Sequence, residues 1–549
     1  MVLKGGNVFF LISTLNRRKV SKLQIMKKKL LINTSFAIAT IVLLIWIALL
    51  VFIEPWTAKK IEKGLNETLK DYTISIGQVN VSLIKCSIEL EKIKILPKDS
   101  SIINSSFIKG EIASIKFNRI NLWRAVFKKD VVISEVLVSS SKINGRVPFP
   151  EKSFPPVVSP FNIRIDRILF DGIDLNISNS LNAQSFWVKN GILKVQSLQI
   201  GKQDTIGLSI ANQLDFGAKE FFSVSSDSMY SYKINGINYS AVSKTLAIDS
   251  LSIHPNFNDY DFTSKYAFQT NRYETVLCNV FAYNMNAADY LESKSITSNY
   301  IEIGTFDLNV FRDKRKEFKH IEKATFQDFI YSYKGILNID SIGLLSGNVK
   351  FKVHAEKANQ PGEISFNEIH AKIYKITNDT IYKIKSADLA LKADAMLMGK
   401  SKLTVLLESK LFDSNNTFTV NGVLAGLEVK DLNPILEKTA FIYGAGKIDA
   451  MNFSFTANNT KATGKLTILY HGLNVVVKNK RTDDTTAFVE KFVSAIANSI
   501  IIDSNPIQGE KVRVGIIDYK RDPERFLFNY CFKSILSGIE SSLVKNPKK

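Results

Sequence analysis

From Thr73 onward the hydrophobic pattern has a period of two. Ile, Val, Phe and Tyr alternate with Ser, Lys, Asn and Asp over most of the following ~370 residues, the signature of strands with one apolar and one wet face. One unit recurs, apolar-x-apolar-x-x-apolar-x-apolar. It appears as Ile74, Ile76, Val79, Val81, then as Ile88, Leu90, Ile93, Ile95, and as Ile115, Phe117, Ile120, Leu122. Ile163, Ile165, Ile168, Phe170 and Leu193, Val195, Leu198, Ile200 repeat it. So do Leu246, Ile248, Leu251, Ile253, then Ile301, Ile303, Phe306, Leu308, and Leu337, Ile339, Ile342, Leu344. Successive side chains of a strand point to opposite faces, so the double spacer would send the second apolar pair to the wrong side. An extra residue taken up as a β-bulge keeps all four on one face and adds bend and twist. The units are irregularly spaced, which excludes a strict solenoid repeat. Two architectures fit the pattern equally: a long, strongly curved sheet with an apolar concave side, or a set of ordinary sandwich domains.

A second period interrupts the first. Ile61, Leu65 and Leu69 recur at helical steps in AKKIEKGLNETLKDY and predict a short amphipathic helix that packs on the first strands. NAADYLESKSI (286–296) predicts one or two helical turns, and the charge run FRDKRKEFKH (311–320) a solvated connection. DLNPILEKTA (431–440) reads as a short helix, and 443–479 as three strands. Phe488, Phe492, Ile496 and Ile500 mark an amphipathic helix, followed by a strand at KVRVGIIDY. In the last helix Asp522 is the expected cap, with Pro523 at the first position. Phe528, Phe532, Ile535, Ile539 and Leu543 form its apolar face, expected to close the end of a sheet.

Ahead of all this lies Leu30 to Ile53, LLINTSFAIATIVLLIWIALLVFI, without a charged residue. About 24 residues at ~1.5 Å each reach ~36 Å, enough to cross a hydrocarbon core of ~30 Å as a helix. Lys4, Arg17, Arg18, Lys19, Lys22, Lys27, Lys28 and Lys29 precede it with no acid among them, which places that end in the cytoplasm. A cleavable signal peptide has a shorter apolar core and small residues at its end. Here Glu54, Pro55 and Trp56 follow, so an uncleaved anchor is expected. Met26, just before the lysine triplet, is a second candidate start.

Composition adds exclusions. Of a formal net charge of +20, the basic N-terminus carries a large share, and the remainder is scattered among strands. That argues against nucleic-acid binding. Cys86, Cys278 and Cys531 are too far apart for a metal site or a disulfide framework. Pro148, Pro150, Pro155, Pro156 and Pro160 mark an extended loop or boundary. There is no phosphate-cradling glycine loop, nucleophile elbow or zinc-ligand spacing. His254, His320, His354, His370 and His471 are dispersed along the chain. No enzyme, cofactor or metal is expected from this pattern.

Three passages resemble the AsmA family of envelope proteins, which includes TamB and is grouped with bridge-like lipid-transfer proteins. They are the anchor running into IEKGLNETLKDYTISIGQVNVSLIKCSIELEKIKILP, the passage EIASIKFNRINLWRAVFKKDVVISEVLVSSSKI (111–143), and the end, DLNPIL, FSFTANNTKATGKLTILY and RDPERFLFNYCFKSILSGI, which is similar to AsmA-like proteins of Bacteroidetes-type bacteria. The resemblance implies a mainly β fold: an N-terminal transmembrane helix, then a long, curved, mostly antiparallel β-sheet groove with a few short amphipathic helices. It implies a basic cytoplasmic N-terminus (1–29), a transmembrane anchor (30–53), an N-terminal AsmA-like β region (54–145), a Pro-rich loop (146–160), a central β-groove (161–430) and a C-terminal AsmA-like region (431–549). The implied protein sits in the inner membrane with its bulk in the periplasm. It carries or guides phospholipids in outer-membrane biogenesis, alone or with outer-membrane or periplasmic assembly proteins. The groove lining is then Ile74, Ile76, Val79, Val81, Ile88, Leu90, Ile93, Ile95, Ile115, Phe117, Ile120, Leu122, Ile163, Ile165, Ile168, Phe170, Leu246, Ile248, Leu251 and Ile253. The competing expectation is a tethered scaffold that binds no lipid. A tethered hydrolase would need a convergent polar cluster that the sequence does not display.

Overall fold

The computed structural model describes Thr40 and residues 58–67, 69, 71–82, 84–98, 107–121, 124, 130–147, 162–200, 214–385, 388–477 and 502–544. Apart from Thr40, the expected anchor (30–53) lies outside the described residues. So do the Pro-rich stretch 148–160, Leu122 and the expected helix around Phe488 to Ile500. No helix among the described residues is long and apolar enough to cross a membrane.

The chain is mainly β, and among the described residues its strands form a single mixed sheet of 19. Each strand pairs with the next in sequence. β1 (Tyr72–Ser82), β2 (Ser87–Pro97), β3 (Phe107–Ile120) and β4 (Asp130–Val147) form an antiparallel meander. β5 (Asn162–Asn179) joins β4 in parallel. Antiparallel pairing then continues through β6 (Ser185–Ile200), β7 (Leu214–Val224), β8 (Tyr230–Ser240), β9 (Thr245–Pro255), β10 (Asn271–Tyr283) and β11 (Ile296–Asp313). β12 (Leu337–His354) is again parallel to its predecessor. β13 (Gly362–Thr377), β14 (Asp388–Leu397), β15 (Ser401–Lys410), β16 (Phe418–Glu428), β17 (Ile442–Ala457), β18 (Lys461–Val477) and β19 (Val514–Lys520) complete the sheet in antiparallel order. A parallel junction obliges the chain to return to its starting end. The first return lies outside the described residues, and the second runs through residues 314–336.

Helices flank the sheet, among them α1 (58–67), α2 (Asp259–Ser264), α3 (Ala287–Ser293), α4 (Phe326–Ser332), α5 (Asn433–Thr439) and α6 (Leu527–Leu543). α3 and α5 fall where the sequence placed them. α4 lies in the second return. Its Thr325–Asp328 capping box fixes its start, and Gln327 reaches Ser409 Oγ at 2.9 Å and the Asn416 carbonyl at 3.1 Å.

The double spacer of the repeated unit works differently from the expected bulge. Ile76 faces Ile93 and Gln78 faces Glu91, while Gly77 and Lys92 between them are unpaired. The register is the same on both sides, so neither strand gains a residue on the other. Instead both strands interrupt their ladder at the same level, and Lys92 turns into the left-handed region at φ 54°. This resets the side-chain alternation in the two strands together. All eight spacers behave alike: Gly77, Lys92, Arg119, Asp166, Ser197, Asp249, Gly304 and Asp340 are each skipped by the ladder. The interruptions line up from strand to strand. Asn190, Lys219, Gly236, Asp249, Asn279, Gly304 and Leu345 make one unpaired crease across β6 to β12. Gly236 is required there. It sits at φ 58°, and a Cβ on it would overlap the Asp249 carboxylate. True register shifts occur at β5–β6, β13–β14 and β17–β18.

Three further expectations are corrected. The stretch 443–479 is two long strands, because Gly446 at φ 106° carries β17 through a bend that reads in the sequence as a turn. The charge run 311–320 is not a solvated connection throughout. β11 extends into it, Phe311 and Asp313 are buried, and Arg315 pairs with Asp313 at 2.8 Å. The last helix starts after Phe526, since residues 522–525 form a turn.

Of that helix's expected apolar face, Leu543 is buried in the core and Ile535 and Ile539 pack against it, but the two phenylalanines do not. The side chains it buries are Tyr530, Lys533, Ser534, Ser537, Gly538, Ser542 and Leu543, whereas Phe528 is 62% and Phe532 49% exposed. Gly538 and Gly515 let α6 lie close against β19, where larger side chains on the inward face would hold it off.

Helices seal both edges of the sheet. On β1, the Ile74 N–H donates to Asn66 Oδ1 at 2.7 Å, Asn66 Nδ2 donates to the Ile74 carbonyl at 3.0 Å, and the Ile76 N–H donates to Glu62 Oε1 at 2.6 Å. On β19, the Ile516 N–H donates to Ser541 Oγ at 3.0 Å and the Asp518 N–H to Ser537 Oγ at 3.3 Å. An unblocked edge would template pairing with another chain.

Candidate functional site

Residues directly opposite each other in a ladder share a face, so a row can be followed across the whole sheet. One such row is Val79, Leu90, Ile115, Val138, Phe170, Leu193, Phe216, Tyr239, Leu246, Ala282, Ile301, Ile342, Ile373, Leu391, Leu407, Val420, Phe455, Gly464 and Ile517. It crosses every strand without a charged residue. The aligned interruptions that reset alternation are what keep it on one side.

What covers this face changes along the sheet. At the start, Ala58 and Ile61 of α1 pack on the cluster Ile74, Ile76, Val79, Leu90 and Ile93, with Val81, Ile88, Ile95, Ile115 and Phe117 around it. At the far end a large core fills the space. Phe418, Val420, Leu424, Phe453, Phe455, Leu466 and Ile517 pack there with Ile330 of α4 and Tyr530 and Leu543 of α6. α5 touches both β13 and β17, so the sheet curls round it.

Between these ends lies a different regime. Ile133, Val136 and Val138 are buried only among same-face neighbours from β3, β4 and β5, including Ile120, Ile165, Ile168 and Phe170. Leu246, Leu251 and Ile253 stay half-buried, and Ile163, Ile165, Ile168 and Phe170 likewise, while Ile248 is buried. Among the described residues no second layer of strands packs across β5 to β9.

The sequence-predicted lining therefore divides. All its described members share the apolar face, but Ile74, Ile76, Val79, Leu90 and Ile93 are taken up by α1. The positions left open lie in the middle strands. Sequence reading missed Val136, Val138, Phe216, Tyr239 and Ala282, although β4 carries the four-residue signature as Val131, Ile133, Val136 and Val138, and β8 carries it as Tyr232, Ile234, Ile237 and Tyr239. For Phe216 and Ala282 alternation alone was the available signal.

A cavity of about 450 Å³ lies largely on the polar side, with Lys142, Asp174, Asn176, Trp187, Lys189, Glu220 and Phe222 in its wall. The histidines are spread out. His254 meets Glu274 at 3.1 Å, His320 meets Glu524 at 2.9 Å, and His471 meets Asp449 at 2.9 Å. Buried His354 bonds Tyr260 Oη at 2.9 Å and the Ala358 carbonyl at 2.8 Å. Burial pushes the Cys531 thiol up to about 12, which keeps it an unreactive thiol. The histidines thus stay apart from one another, while the apolar face is continuous over the sheet.

A scan of protein-family models finds no match to this chain, and a search of curated proteins finds none either.

Proposed function

We propose that the chain is a membrane-tethered carrier of the bacterial envelope that guides phospholipid tails along the apolar face of its sheet. Residues 30–53 hold it in the inner membrane with the N-terminus cytoplasmic, and the β body works in the periplasm in support of outer-membrane biogenesis. The observation that carries this reading is the uncharged row across all the strands, left without a second layer at its middle. Aligned interruptions of the ladder bend and twist neighbouring strands together, which favours a curved groove with that row inside it.

Each CH₂ of an acyl chain is worth ~0.8 kcal/mol on burial, so lifting a whole phospholipid into water is slow. A continuous apolar surface keeps the tails covered while the headgroup stays wet. Gradual sliding then replaces one large desolvation step. The sheet's 19 strands at ~4.8 Å spacing give a path of roughly 90 Å. Its last part is occupied by the protein's own side chains, so the usable path is shorter.

That filled end favours a second role for β14 to β19. A self-packed body is a docking platform, and it fits the scaffold reading for this part of the chain. The test is lipid content. The full chain, purified in mild detergent, is extracted and its phospholipids counted by mass spectrometry. Roughly one or more tightly held phospholipids per chain supports the carrier; a lipid-free folded chain leaves only the scaffold.

A further inference from the structure

On β11 the apolar stripe Phe306, Leu308, Val310 is continued on the same face by Arg312. The strand thus changes from apolar to cationic at its end without changing sides. Arg312 and Arg525 flank the Phe318 ring, at 6.0 and 3.8 Å from its centroid. The shared ring draws both guanidinium groups to one place. Arg312 Nη2 donates to Gln269 Oε1 at 3.2 Å, but its buried Nε has no hydrogen-bond partner. A buried donor without an acceptor calls for one.

Two lysines complete the group. Lys314 follows Arg312 by two residues, and Lys533 comes from α6, buried against the sheet. Lys314 is solvent-accessible yet crowded by protein. Burial, then Arg312 and Arg525, pull its ammonium down to about 8. Burial, then Lys314 and Arg525, do the same to Lys533, also to about 8. Arg525 has Asp522 at 3.4 Å. Cations from β11, from the turn before α6 and from α6 itself therefore converge at one end of the apolar face. Exposed Phe528 stands beside them, its ring edge-on to Phe366 of that face at 6.2 Å.

We propose that Arg312, Lys314, Arg525 and Lys533 form a receptor for a phosphate-bearing anion, and that it holds the headgroup of a phospholipid whose tails lie on the adjoining apolar face. The anion would supply the missing acceptor to Arg312 and turn mutual repulsion into attraction. The lipid source of the phosphate rests on the carrier reading; the anion site itself does not.

The full chain in neutral detergent is titrated by calorimetry with dihexanoyl phosphatidylglycerol, with dihexanoylglycerol, and with inorganic phosphate. The phospholipid should bind, and Lys314→Gln with Lys533→Gln should weaken it by about tenfold or more. Lys314→Arg with Lys533→Arg keeps the charges and should bind near the wild-type level, as should the distant Lys402→Gln. Equal phospholipid affinity in the Gln pair and the wild type overturns the receptor and leaves the carrier standing. Phosphate bound as tightly as the phospholipid, with no diacylglycerol bound, keeps the receptor but overturns its lipid occupant. No binding of phosphate or phospholipid overturns the proposal outright.

Discussion

Asn66 closes on Ile74 from both sides, accepting its N–H at 2.7 Å and donating to its carbonyl at 3.0 Å. A side-chain amide thus stands in for a missing neighbour strand at the edge of β1. Asn66→Ala removes both bonds, each worth ~0.5–1.5 kcal/mol net. Hydrogen exchange should speed up at Ile74 and leave Ile516 and Asp518 on the opposite edge unchanged. Faster exchange at both edges would mean global loosening instead. Concentration-dependent association of the variant is also expected, since an open strand edge recruits partners.

The other edge depends on space. A Cβ on Gly538 would lie 2.7 Å from Ile517 Cγ1 and 2.9 Å from Leu466 Cβ. Both neighbours are fully buried and cannot yield. Gly538→Val should therefore lift α6 and cost ~1–3 kcal/mol, read as a lower urea midpoint. The Ser537 and Ser541 contacts to β19 would open with it. The matching change Gly64→Ala, where a Cβ meets nothing, should be neutral or slightly stabilising.

The creases show how far the sequence could be read. Every double spacer in the apolar pattern marks a residue the ladder skips, so the spacing of Ile76 and Val79, or of Ile248 and Leu251, reports backbone geometry directly. The mechanism was less legible. A bulge in one strand and facing interruptions in two leave the same trace in one strand's sequence. Only the partner's register separates them. The parallel junctions β4–β5 and β11–β12 were invisible for a related reason, since strand direction leaves no mark on alternation. In α6 the large residues read Ile535, Ile539 and Leu543 correctly and Phe528 and Phe532 wrongly. Close approach to a sheet selects Ser537, Gly538 and Ser542, which carry no hydrophobic signal.

Gly236 tests whether the crease matters. At φ 58° any side chain is strained by ~1–2 kcal/mol, and here it would also strike Asp249. Gly236→Val should lower the thermal midpoint of unfolding. Combining it with Asp249→Ala, which clears the space, should recover part of the loss and leave the backbone strain. Full recovery would show that contact alone sets the requirement.

Lys533 gives a pH signature. Its ammonium falls from 10.5 to about 8 on folding, so between those values the unfolded chain holds a proton that the folded chain has released. Stability should therefore rise as pH increases from about 8 toward 10.5, because the cost of a buried charge fades as the group is neutralised. Below about 8 both states carry the charge and the slope vanishes. Lys533→Met removes the titration, so the difference between variant and wild type should shrink across that window. Urea midpoints at steps of pH would reveal it; a parallel pair of curves would show that Lys533 is charged throughout.

The middle of the apolar face is where lipid contact can be separated from folding. Ile76 and Val79 are poor probes, because a charge there breaks the packing under α1. Leu251 and Ile253 are half-buried and better suited, with Ser250 and Ser252 alternating with them on the other face. Leu251→Asp should lower the phospholipid recovered with the folded chain several-fold, since a carboxylate beside the tails loses its water. Ser252→Asp adds the same charge to the opposite face and should leave recovery unchanged. Exchange rates at Ile234 and Leu277, the ladder partners of Leu251, monitor folding in both variants. Equal lipid recovery from the two, with those rates intact, would remove the apolar face from the transport path.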